Sequence, residues 1–132
     1  MANEIQCVVV TPENTTVDQS VESVVVPLVD GEAGIYANHA SMIGRLGCGE
    51  VRLNFGGKTE RLFVDGGFVQ VDDNVLSVIT GRALQAAQID VGQVESALKD
   101  AEASSPESKE EKLARARTIM QSKAMLKVAA KK

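Results

Sequence analysis

The sequence changes character once, near residue 86, and that change constrains the fold more than any other feature. Up to about Thr80 it consists of short apolar runs rich in β-branched residues, each closed by turn-forming residues. Beyond Ala83 the apolar residues recur every three to four positions, which is helical spacing. Glycine follows the same division: ten of the eleven lie at or before Gly81, and only Gly92 comes later. Many short strands with no helical period between them cannot build a parallel, doubly wound sheet, so the chain is expected to be α+β with antiparallel strands first and helices after.

The apolar runs cover residues 5–11, 21–26, 34–37, 51–55, 61–64, 68–71 and 75–80. Between them stand Pro12-Glu13-Asn14, Asp30-Gly31-Glu32, Gly47-Cys48-Gly49, Gly56-Gly57, Asp65-Gly66-Gly67 and Asp72-Asp73-Asn74, all read as turns. Alternation is clearest where Val51, Leu53 and Phe55 share one face and Glu50, Arg52 and Asn54 the other. Gly56-Gly57 then tolerates the positive φ of a two-residue hairpin. Residues 1–86 are thus expected to form an antiparallel β-sandwich.

Residues 87–132 are expected to form an antiparallel two-helix hairpin. Asp90 with Gln93 has capping-box spacing, and Ile89 can pack on Val94 as a hydrophobic staple, so a helix starts near Val91. Val94, Leu98 and Ala101 carry its apolar stripe to about Ala103. Ser104-Ser105-Pro106-Glu107 should restart a second helix that runs to about Val128, with its seam at Leu113, Ala116, Met120 and Ala124. Small alanines dominate that seam, which predicts weak docking.

Several function classes are excluded by composition. Aromatic residues make up 3%, too few for stacked-base recognition, and a net charge of −4 does not suit a duplex nucleic-acid binder. His39 is the only histidine, and Cys7 and Cys48 are too few for a zinc motif or a disulfide framework, so reduced thiols are expected. No phosphate loop occurs, and Gly44, Gly47 and Gly49 have the wrong order for a dinucleotide fingerprint. His39 reads as a loop histidine bonded to backbone. No catalytic cluster, metal set or cofactor motif is present, so the chain is not expected to be an enzyme. No apolar run is long enough to cross a bilayer, and residues 1–10 carry Glu4 with no basic stretch, so no signal peptide is expected and the compartment is expected to be cytoplasmic.

Three segments stand in a telling order: Val8-Val9-Val10-Thr11-Pro12-Glu13, then residues 30–40 with the G-x-x-x-N-H-A loop, then Phe63-Val64-Asp65-Gly66-Gly67-Phe68-Val69-Gln70-Val71. In this combination the chain resembles the epsilon-subunit family of F-type ATP synthases, bacterial or chloroplast in type, over essentially its full length. The resemblance implies a sandwich of two five-stranded sheets at the foot of the central stalk, in contact with the gamma subunit and the c-ring. It also implies helices that either fold against the sandwich or rise towards the catalytic alpha and beta subunits, where they inhibit ATP hydrolysis. Carried over by position, Asp30, Gly31 and Glu32 would face the c-ring, and His39, Ala40 and Ser41 would face gamma. Membrane association would be peripheral, through the complex only, on the cytoplasmic face of the cell inner membrane.

Two departures from the family pattern bear on function. Where relatives often read P-G-H-A-P, this chain has Ala37-Asn38-His39-Ala40-Ser41, which loosens the carry-over of individual contacts. Relatives that bind ATP carry I-D-x-x-R-A at the start of the first helix, whereas Ile89, Asp90, Gln93 and Val94 stand here. A neutral amide lacks the charged fork of a guanidinium, so ATP binding is expected to be weak or absent. Gln93 therefore speaks against the alternative reading, a nucleotide-sensing sandwich with a regulatory hairpin. From Lys109 onward eight Lys and Arg, including Lys131 and Lys132, stand against Glu110 and Glu111. The family's raised helices meet an acidic segment of beta, so Arg115, Arg117 and Lys123 are the candidate inhibitory cations.

Overall fold

Alternating burial organises the strands. In a computed structural model that describes residues 3–130, β1 (Ile5–Val10) buries Ile5, Cys7 and Val9 and turns Gln6, Val8 and Val10 outward. Then follow β2 (Thr15–Val21), β3 (Ser23–Leu28), β4 (Gly31–Tyr36), β5 (Met42–Phe55), β6 (Lys58–Asp72), β7 (Val75–Ile79) and β8 (Ala83–Gln85). The order across the sheet is β2-β1-β7-β6-β5-β3-β4, with β8 also on β6.

The long strands β5 and β6 make this sheet into two layers. They form one hairpin from Met42 opposite Val71 to Phe55 opposite Lys58, closed by Gly56-Gly57 as expected. The C-terminal half of β6 pairs with β7, which leads to β1 and β2. Its N-terminal half pairs with β8, while the C-terminal half of β5 leads to β3 and β4. Each layer therefore has five strands, and their inner faces share one core that joins Val9, Val17 and Leu76 to Val24, Ile35 and Leu53. One pair departs from the antiparallel expectation: β1 and β7 run parallel.

Other differences concern the turns. Gly47-Cys48-Gly49 and Asp65-Gly66-Gly67 do not reverse the chain; they face each other inside β5 and β6, where the strands pass from one layer to the other. Glycine there permits a bend rather than a turn. The run at 21–26 is divided at Glu22, whose N–H donates to Asn54 O at 2.8 Å while its carboxylate accepts from Gly56 N at 3.0 Å. Most of β2 escaped the sequence reading because it is a polar edge strand that buries only Val17 and Val21. Glu32 is a β4 residue, not a turn residue, because β4 already begins at Gly31.

Helix α1 (Val91–Ala103) starts as expected, with Asp90 Oδ1 accepting from Gln93 N at 3.1 Å and Ile89 and Val94 in one apolar cluster. Ser104 Oγ donates to Ala101 O at 2.7 Å and ends it. Helix α2 (Lys109–Ala130) restarts at Ser108, not in the four residues before it: Ser108 Oγ accepts from Glu111 N and the Glu111 carboxylate accepts from Glu107 N, each at 3.0 Å. Its seam also differs. Leu113 and Met120 are exposed, while Ser122, Met125, Val128 and Ala129 are buried.

The reason is that α2 must cover the sandwich as well as α1. Met125, Val128 and Ala129 pack with Phe63, Ala86 and Ile89 in a second apolar core, and Gln121 Nε2 donates to Asp65 Oδ2 at 2.8 Å. Burying side chains the size of Met125 and Val128 stabilises by about 1.5–3 kcal/mol each. Helix α1 buries no residue fully, so the last turns of α2 carry the docking.

Candidate functional site

The outer face of the layer formed by β2, β1, β7 and the adjoining halves of β6 and β5 carries an apolar ridge. Alternation directs Ile43 and Arg45 of β5, Phe68 and Gln70 of β6, and Ser77 and Ile79 of β7 to this face. Phe68 stands opposite both Arg45 and Ile79, and Ile43 stands opposite Gln70, two residues along β6 from Phe68. Ile43 is 75% exposed, Phe68 53% and Ile79 50%, and half-buried Val10 extends the ridge from β1. Single exposed aliphatics are ordinary, but large apolar side chains adjacent across three strands mark a contact surface. Sequence reasoning missed it. The available signal was Val75-Leu76-Ser77-Val78-Ile79, apolar on both faces although one faces water.

The loop between β4 and β5 lies at one end of this ridge and is held from behind. Asn38, at φ 62°, donates its N–H to Asn74 Oδ1 at 2.8 Å, and Asn74 Nδ2 donates to Glu4 O at 2.8 Å. Ser41 Oγ donates to Asp72 Oδ1 at 3.1 Å. His39 is exposed, with Nδ1 2.7 Å from Ala40 O, a loop histidine on backbone as expected. His39, Ala40 and Ser41 therefore form a fixed rim that runs into Met42 and Ile43.

Asp30 occupies the turn between β3 and β4, Gly31 and Glu32 open β4, and exposed Val29 beside them donates its N–H to Arg45 O at 3.0 Å. The Glu32 carboxylate accepts from Arg52 at 2.9 Å. Arg52 also meets Glu50 at 3.0 Å, and Arg61 meets Glu50 at 2.9 Å, so an ion-pair chain crosses the outer face of the second layer. Hydrogen bonds to Glu32 and then Glu50 push the Arg52 guanidinium above its ordinary range.

The residues that open α1 serve the fold. Ile89 is buried, Asp90 is the cap, Gln93 is exposed and Val94 packs half-buried against the second core. Nor do the three candidate inhibitory cations form one patch. Arg115 donates from Nε to Ala101 O at 2.8 Å and from Nη2 to Glu102 O at 3.2 Å, binding the terminal carbonyls of α1. Arg117 is exposed, and Lys123, also exposed, lies over the second layer of the sandwich; Lys131 and Lys132 lie outside the described residues. Both thiols are free: burial pushes Cys7 up to about 12, and burial followed by the charge of Asp65 pushes Cys48 up to about 11. Among the described residues no helix is long and apolar enough to cross a membrane.

Comparison with known proteins gives a consistent result. Residues 4–86 match the family model described as ATP synthase, Delta/Epsilon chain, beta-sandwich domain. The chain is 47% identical to the ATP synthase epsilon chain of Rhodopirellula baltica over 97 residues, 74% of this chain and 76% of that one. It is 40% identical to the ATP synthase epsilon chain of Carboxydothermus hydrogenoformans over 101 residues, 76% and 75% of the two chains. Its fold resembles a chain in the cryo-EM structure of the Euglena gracilis mitochondrial ATP synthase, with a TM-score of 0.86 at 21% identity over 96% of this chain and 82% of that one. It also resembles a chain in the Tetrahymena thermophila mitochondrial ATP synthase central stalk and c-ring, with a TM-score of 0.67 at 13% identity over 94% and 95%.

Proposed function

We propose, from the premise that this chain belongs to the ATP synthase epsilon family and is a non-catalytic subunit of that complex, that its sandwich docks on the gamma subunit through the Ile43, Phe68 and Ile79 ridge. The exposed apolar ridge is the observation that carries this reading, since a lone sandwich has no reason to keep such a face in water. The adjoining His39, Ala40 and Ser41 belong to the gamma contact. Asp30, Gly31 and Glu32, with the exposed Val29 at their turn, belong to the c-ring contact. Residues 1–86 act as the fixed rotor part and residues 87–132 as a movable arm that meets alpha and beta when raised and restrains ATP hydrolysis. Arg117 and Lys123 carry that contact first, because Arg115 stays on α1 until the two helices separate. The complex holds the chain peripherally at the cytoplasmic face of the cell inner membrane. No cofactor and no nucleic acid enter this account.

Site-directed cross-linking tests the two contacts. In a Cys48→Ser background, His39→Cys should cross-link to gamma and Glu32→Cys to the c-ring within the assembled complex. Absence of any gamma product from His39→Cys, with the subunit still bound, would remove the assigned orientation.

ATP binding is expected to be weak or absent, because Gln93 brings no charge to the helix start and Val94 fills space there. Calorimetry on the full chain should show little or no saturable binding, while Gln93→Arg with Val94→Ala should bind about ten- to a hundredfold more tightly. Equal binding by both chains would contradict the expectation.

A further inference from the structure

Beneath the C-terminal half of α2 lies a cavity of about 420 Å³, lined by Pro27, Glu32, Cys48 and Glu50 of the sandwich and by Lys123 and Lys127 of the helix. Glu50 is its most constrained group. The side chain is only 10% exposed; Oε1 accepts from Arg52 and Arg61, whereas Oε2 is buried and has no hydrogen-bond partner among the described residues. A buried carboxylate oxygen left unpaired is costly, and a donor that reaches it recovers that cost. Lys123 and Lys127 stand one helical turn apart on the face that covers this cavity, each with an ammonium on a flexible four-carbon stem.

We propose that Lys123 and Lys127 close over Glu50 and Glu32 as a charge latch that holds the helical hairpin against the sandwich. The latch supplements the apolar docking of Met125, Val128 and Ala129 and supplies the directional part of the contact. It also makes hairpin release a competition: Lys123 serves either the sandwich carboxylates or an acidic surface elsewhere. Salt loosens such a latch, since Glu32, Lys123 and Lys127 are exposed at the rim of the groove. The device belongs to the free chain, so it is tested without the complex and stands or falls separately from the stalk assignment.

Cys48 is a built-in reporter, because it lines the same cavity and is half-buried beneath α2, while Cys7 in the sandwich core reports global unfolding. The experiment measures alkylation of both thiols by a neutral maleimide in the full-length chain at low ionic strength. Lys123→Gln with Lys127→Gln should speed Cys48 labelling about three- to tenfold, the range set by one or two rim-exposed ion pairs, with Cys7 still protected. Arg117→Gln should leave the rate unchanged. Removing nearby cations disfavours a thiolate, so faster labelling cannot come from local charge on the sulfur. An unchanged rate in the double lysine variant, an equal effect of Arg117→Gln, or parallel labelling of Cys7 would each overturn the latch.

Discussion

Replacing Gly67 by alanine is expected to destabilise the protein by about 3 kcal/mol or more and to lower its melting temperature by roughly 10 °C or more. Gly67 lies at φ 110°, where an L side chain is strained, and a Cβ built there would stand 2.0 Å from Ile79 O. The added carbon is fixed to the backbone of β6 and Ile79 O belongs to the backbone of β7, so relief requires β6 and β7 to separate where the long hairpin changes layers. Gly56→Ala is the informative comparison. Its φ is 58° and none of the described residues lies within 4 Å of the added carbon, so only the left-handed backbone penalty of about 1–2 kcal/mol applies. Thermal unfolding followed by circular dichroism separates the two cases, and a Gly67→Ala chain no less stable than Gly56→Ala would contradict the packing described for the layer change.

Much of this architecture was legible because period and punctuation agreed. The alternation from Glu50 to Phe55, the Gly56-Gly57 turn and the Asp90 cap all fell where local rules put them. Legibility failed where a local signal had two structural outcomes. Gly47-Cys48-Gly49 and Asp65-Gly66-Gly67 look like chain reversals, yet glycine also permits a strand to bend between layers, and only the partner strand decides which occurs. In α2 the stripes Leu113-Ala116-Met120 and Ser122-Met125-Ala129 are both compatible with a seam, and the fully buried Phe63 across the interface selects the second. The ion-pair chain through Arg52 joins residues 20 positions apart, which no spacing rule reveals. The same holds for the ridge, whose members lie on three strands and become neighbours only through register.

The ridge carries the second large expected effect. Ile43 and Phe68 project into solvent, so replacing both by Asp removes no core contact and should leave the fold intact. In a docked interface the same change puts two charges into a desolvated apolar centre, where loss of anchor residues weakens binding by about a hundredfold or more. Tyr36 provides the control: it is 66% exposed but lies on β4, in the other layer. The most direct measurement is the equilibrium affinity of the full chain for ATP synthase complex depleted of this subunit, with wild type, Ile43→Asp with Phe68→Asp, and Tyr36→Asp compared under one salt condition. The ridge variant should lose binding by about two orders of magnitude while Tyr36→Asp binds like the wild type. A ridge variant that binds as tightly as the wild type would contradict the assignment of this face to the central stalk.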